Sequence, residues 1–218
     1  MIAKENINNA VIPNLSLPDG KTLNYLLDAI IAASEPFKKA SNQSNLVKPL
    51  NENKLTQILV EQIEVKIKPH PFIGVKNQYS DLFCRTTGIP DFYFHVVEEG
   101  VAHLPLMIVE SKRLPSPTYE KEYVIGQNKN GGIERFKLEK HGKGVTHCGI
   151  VGFIEDQDIS FWLTSINNWI KELSDSEVFW NEDEVLVEIK KHGHCVYLKS
   201  IVHTLSAGDK ILQHLLIT

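Results

Sequence analysis

Residues 89–112, IPDFYFHVVEEGVAHLPLMIVESK, decide the fold. Two runs dense in aromatic and β-branched residues, Ile89 to Val97 and Leu104 to Lys112, flank Gly100-Val101, and this pattern predicts two core strands joined as a hairpin. Folding symmetrically about Gly100-Val101 sets Val97 opposite Leu104 and Asp91 opposite Glu110. Like charges held directly across an antiparallel pair are destabilising unless something positive lies between them. A divalent cation is the natural candidate. Residues i and i+2 of a strand share a face, so Lys112 projects beside Glu110.

Outward from the hairpin, Phe72 to Gln78 reads as a third strand. Before it, Asn53 is placed to cap a helix with Leu55, Ile58, Leu59, Gln62 and Ile63 on one stripe and Glu61 on its flank. An earlier amphipathic helix is expected from Thr22, with Leu23, Leu26, Leu27, Ile30 and Ile31 on its apolar face, ending before Pro36. The polar, Asn-rich stretch from Ala40 to Asn53 reads as a connector. Downstream, Ser116-Pro117 signals a helix start and Gly131-Gly132 a break before a second helical piece, IERFKLEKH. Val145 to Ile154 is an expected strand. Ser160 should cap a helix presenting Trp162, Ile166, Trp169, Ile170 and Leu173. Val185 to Ile189 and Cys195 to Val202 suggest a hairpin, and Ile211 to Ile217 a last strand or short helix. The expected organisation is one α/β domain over residues 1–218: an N-terminal helix and connector (1–53), a core (54–155), and a C-terminal helix and strands (156–218).

Composition narrows the function. The chain has 218 residues, 42% apolar and 23% charged, with 13 Gly and 10 Pro, which excludes disordered and low-complexity chains as the main body. Twenty-three Lys and Arg against 27 Asp and Glu leave a net charge of −4, so any attraction to a polyanion must be local. Residues 126–144 carry Lys129, Arg135, Lys137, Lys140 and Lys143 and form the most basic stretch, a candidate for phosphate contacts. Residues 171–188 are strongly acidic and read as a solvated face. No apolar run approaches a membrane span, and the N-terminal stretch lacks the pattern of a signal peptide. Three widely spaced cysteines without a CxxC argue against a disulfide framework or a zinc knot, so a cytoplasmic setting is expected. His192, His194 and Cys195, like His141, His147 and Cys148, read as structural.

At Asp91 and Glu110 the ligands on offer are hard carboxylate oxygens, which suit Mg²⁺ or Mn²⁺. A water acidified by such an ion and positioned by Lys112 is suited to in-line attack on phosphorus. Pro90-Asp91, eighteen residues, then Glu110-Ser111-Lys112 resembles the PD-(D/E)XK motif of the restriction-endonuclease-like nuclease superfamily. The order helix, three strands, helix, strand over about residues 54–155 is similar to that family's core. The resemblance implies a mixed central β-sheet flanked by helices, here with a C-terminal helix and β-hairpin added. It also implies metal ligands at Asp91, Glu110 and the Ser111 carbonyl, Lys112 near the water, Glu61 as the first-helix acid, and Gln127 among the nucleic-acid contacts. The expected activity is a Mg²⁺-dependent endonuclease acting on DNA, in restriction or defence against foreign DNA, with a homodimer favoured for cutting a duplex. The alternatives are a non-catalytic nucleic-acid-binding or assembly module on the same fold, and a protein adaptor using the acidic segment. The hydrolytic reading requires the two acids and Lys112 on one face, with a cation rather than the lysine in the gap between the acids.

Overall fold

Residues 21–82, 86–100 and 104–218 are described in a computed structural model. Val101 of the expected turn, and Cys84, lie outside the described residues. The elements run α1 (Lys21–Ser41), α2 (Glu52–Ile67), β1 (Ile73–Asn77), β2 (Phe92–Val96), β3 (Met107–Leu114), α3 (Gly132–Lys137), β4 (His147–Ile154), α4 (Ile159–Ser176), β5 (Val187–His192), β6 (Cys195–His203) and β7 (Asp209–Ile217). The strands form a seven-stranded mixed sheet in the order β1-β2-β3-β4-β7-β6-β5. Strands β1, β2 and β3 make an antiparallel meander, β4 runs parallel to β3, and β7 runs parallel to β4. The C-terminal hairpin is therefore no appendage, because β7 ties it into the central sheet.

Alternation along each strand divides the core into two layers. Phe92, Phe94, Met107, Val109, Val151 and Phe153 pack with α1 and α2. Ile108, Leu114, Cys148, Ile150, Leu212 and Leu216 face the other way, onto α3, α4 and the chain preceding α3. Strands β3 and β4 are covered on both faces, so nearly every residue in them is buried whatever its polarity. That is why Glu110 and Lys112 lie inside the protein.

The hairpin register matches the sequence expectation: Phe92 pairs with Val109, Tyr93 with Ile108 and Phe94 with Met107. Helix α4 buries the five residues expected of it, although Asp158 rather than Ser160 caps it, accepting from Phe161 N at 2.7 Å. Helix α2 is capped by Asn51, not Asn53, and its buried face includes Thr56 and Val60.

Two expectations fail for identifiable reasons. Helix α1 runs through Pro36 to Ser41. Proline frees the carbonyl four residues earlier, and that residue, Ala32, is exposed, so the break falls on the solvent side of the helix. Burial of Phe37, stacked on Phe153 with ring centroids 5.2 Å apart, then favours continuing the helix. The helix expected from Ser116 is instead a series of turns. The carbonyls of Glu122, Tyr123 and Val124 accept from the backbone N–H groups of Gly132, Ile133 and Glu134 at 2.9 to 3.1 Å, so they satisfy the first turn of α3 rather than extend a helix of their own.

Among the described residues no helix is long and apolar enough to cross a membrane. Pro36→Ala restores a helical N–H where the chain is already helical, so it should raise stability by up to about 3 kcal/mol, read as a higher urea midpoint at unchanged m-value.

Candidate functional site

Asp91 stands one residue before β2 begins, and Glu110 and Lys112 stand on β3. Where the backbone ladder stops, a side chain continues it: Asp91 Oδ2 accepts from the Ser111 N–H at 2.7 Å. The Asp91 backbone carbonyl meanwhile accepts from Gln78 N at 2.7 Å, which ties this residue to the chain after β1. Extending the observed register by one residue sets Asp91 opposite Glu110.

Glu110 is fully buried. Its Oε1 accepts from Lys112 Nζ at 2.9 Å and from Arg135 Nη1 on α3. Its Oε2 lies 3.2 Å from His141 Nδ1, at ion-pair distance but without hydrogen-bond alignment, so both atoms lack a hydrogen-bonding partner. The Lys112 ammonium also donates to the Ser111 carbonyl at 2.8 Å and to Glu52 Oε1 at 3.1 Å. Glu52 opens α2, and its second oxygen accepts from Arg113 N at 3.2 Å.

These surroundings push the two acids apart. Burial, reinforced by the nearby Glu110 carboxylate, raises Asp91 to about 7. Burial would raise Glu110 as well, but the Lys112 ammonium, His141 and Arg135 outweigh it and hold the carboxyl down at about 2. For Lys112, burial would lower the pKa, yet Glu110, Glu52 and Asp91 prevail and raise it above the usual lysine value. Burial raises Glu52.

The donors suit a hard divalent ion only in part. Glu110 Oε2, which lacks a hydrogen-bonding partner, and the Asp91 carboxyl are the two oxygen donors the site offers a cation, and Mg²⁺ is commonly held by one or two carboxylates with water completing its shell. The Ser111 carbonyl expected as a third ligand already accepts from Lys112. Among the described residues no group of three or more His, Cys, Asp or Glu side chains is arranged to hold a metal ion. The shared face that the hydrolytic reading requires is present, but its second requirement, a cation rather than the lysine in the gap, is met only in part, because the Lys112 ammonium already occupies Glu110 Oε1 and the Ser111 carbonyl. The site fits an ion on two carboxylates if the ammonium gives up the Ser111 oxygen.

Several expected site residues stand elsewhere. Glu61 is exposed and accepts from Gln57 Nε2 at 2.8 Å; the helix acid that reaches Lys112 is Glu52. The misplaced N-cap explains the error, since a helix starting after Asn53 leaves Glu52 outside it. Lys137 is buried at 0% exposure, paired with Glu184, its ammonium 4.6 and 4.7 Å from the Phe179 and Trp180 rings, so it touches no phosphate. Arg135 turns inward to Glu110. Lys140 donates to the Asn128 and Lys129 carbonyls at 3.3 and 2.6 Å and closes the loop before α3. Gln127, Lys129 and Lys143 remain at the surface, Lys143 lying 3.7 Å from Glu139. The sequence reading also missed His141 beside Glu110. Only tertiary packing places it there: a Cβ on Gly88 would fall 2.1 Å from His141 Cδ2, so the loop leading to Asp91 closes directly on the imidazole.

Lys137→Met should cost about 3–5 kcal/mol in urea unfolding because it strands a buried Glu184, and most of that should return in Lys137→Met/Glu184→Leu. In metal-free protein Asp91 carries a folded pKa above its unfolded value, so the folded state binds the extra proton and stability falls as pH rises from about 4 to about 7. Asp91→Asn removes that loss. Its stability advantage, measured by urea unfolding in chelator, should grow by up to about 2 kcal/mol between about pH 5.5 and 7 and stay flat above.

No family model matches the chain, and neither a curated protein nor a solved structure matches it.

Proposed function

We propose that the protein is a Mg²⁺- or Mn²⁺-dependent nuclease of restriction-endonuclease-like fold that hydrolyses phosphodiester bonds in DNA, in restriction or defence against foreign DNA. The observation that carries this reading is the convergence on one sheet face of Asp91 and Glu110, on facing strands, with Lys112 two residues beyond. The order α2-β1-β2-β3-α3-β4, with an antiparallel meander followed by a parallel strand, supports it.

Asp91 and Glu110 would hold the ion, and Mg²⁺ bound there would supply a Lewis acid and an acidified water. Lys112 keeps its proton at neutral pH and presents an ammonium beside both acids, suited to orienting the attacking oxygen and offsetting charge on the phosphorane. Glu52 and Glu110 both hold the Lys112 ammonium, at 3.1 and 2.9 Å. Arg135 and His141 keep Glu110 ionised.

One observation favours a second reading, a non-catalytic nucleic-acid-binding or assembly module. Lys112 and Arg135 already neutralise Glu110 in the absence of any ion. A site of that kind needs no metal.

Supercoiled plasmid separates the two. The nuclease reading expects nicking or cutting only with Mg²⁺ or Mn²⁺, with losses on the order of 10²–10³-fold or more in Asp91→Ala, Glu110→Gln and Lys112→Ala. It expects a smaller loss in Glu52→Gln and none in Glu61→Gln. Metal-independent, salt-sensitive binding without cleavage, or undiminished cutting by Asp91→Ala, establishes the other reading or discards the site.

A further inference from the structure

The face of the sheet that carries Asp91 and Glu110 continues outward across β2 and β1, where Tyr79 and Tyr93 pack, part-buried, against the edge of the core beneath α3 and α4. There it presents rings. Tyr93 lies two residues beyond Asp91 on the same face, and His95 two further. Tyr79 packs against Tyr93 with centroids 5.0 Å apart, and Tyr93 against His95 at 5.5 Å. All three are part-exposed.

The sequence opens space for this arrangement. Gly74 pairs with His95, and a Cβ at Gly74 would fall 2.5 Å from His95 Nε2, so the imidazole lies over the neighbouring strand where any larger residue would lift it. Lys76, the exposed cross-strand partner of Tyr93, adds a cation beside the rings. These residues border a cavity of about 350 Å³, with Glu98 on its wall.

We infer that the Tyr79–Tyr93–His95 platform binds single-stranded DNA, stacking bases on the rings with Lys76 against the backbone, and leads the strand to the Asp91–Glu110 centre. Aromatic faces accept any unstacked base, whereas the bases of a duplex are stacked on one another and unavailable to them. The platform begins two residues from Asp91 along β2, on the face that carries Asp91. This deepens the nuclease reading by naming its substrate as single-stranded or splayed DNA. The cluster of rings stands whether or not the centre is catalytic.

The test is fluorescence anisotropy with labelled dT20, rU20 and a 20-base-pair duplex in chelator, where no cleavage occurs. The expected order is dT20 tighter than duplex. Tyr93→Leu, which keeps apolar bulk and removes the ring, should weaken dT20 about tenfold or more, His95→Ala less, and Tyr93→Phe hardly at all. Gly74→Val, which displaces His95, should weaken dT20 as His95→Ala does. Circular dichroism checks that each variant is folded. The inference is overturned by dT20 affinity equal in wild type and a folded Tyr93→Leu, by tighter binding of duplex, by tighter binding of rU20, or by no binding of dT20. Cleavage of duplex plasmid together with any of these overturns the platform and leaves the nuclease reading standing; ring-dependent dT20 binding without metal-dependent cleavage does the reverse.

Discussion

A carboxylate ionised inside the central sheet sets the constraint around which the rest is arranged. Glu110 sits on β3 between two apolar layers with none of its surface exposed. A buried anion is tolerated only with close cationic partners, since removing such a partner from a buried pair costs several kcal/mol. Two elements supply them, Lys112 from the same strand and Arg135 from α3, while the His141 imidazole from the loop after α3 lies 3.2 Å from the second oxygen. The turns before α3 and the tight approach of Gly88 to His141 follow from this, because both hold those partners in reach.

The same constraint separates the two acids chemically. Among the described residues Asp91 has no ion-pair partner of its own and accepts a backbone N–H, so burial and the neighbouring negative charge raise its pKa to about 7. Glu110 has an excess of cations and stays ionised. Carboxylates whose environments drive them in opposite directions are a recurrent sign of functional rather than merely structural arrangement, although ion-pair networks also shift pKa values.

Legibility in the sequence follows the range of the interaction that places each residue. The hairpin register was readable because two apolar runs and a glycine turn fix it locally, and that register alone carried Asp91, Glu110 and Lys112 to one face. The α4 stripe was readable for the same reason. Lys137 was not: four of its six neighbours within residues 134–140 are charged, and only the fold reveals that Glu184, Phe179 and Trp180 close over it. Nor was the place of Glu52, since the sequence put the helix acid at Glu61. It rests on the entry point of α2, which shifts by two residues when the cap is Asn51 instead of Asn53, and a boundary of that kind decides whether a side chain stands at the helix mouth or on its solvent face.

The lysine in the gap bears on both functional readings. An ammonium bonded to Glu110, Glu52 and the Ser111 carbonyl is a cation already in place, which lets the acids approach one another in the folded chain before any ion arrives. For a binding module that is the end of its role. For a nuclease it is preorganisation, because Lys112, held by Glu52 and Glu110, would stand beside an ion that Asp91 and Glu110 held. Glu52 is therefore the residue on which the distinction turns. A helix acid bonded to the ammonium gives Lys112 a second carboxylate besides Glu110, and a network built only to neutralise Glu110 gains little from it, since Lys112 and Arg135 already pair with that carboxylate.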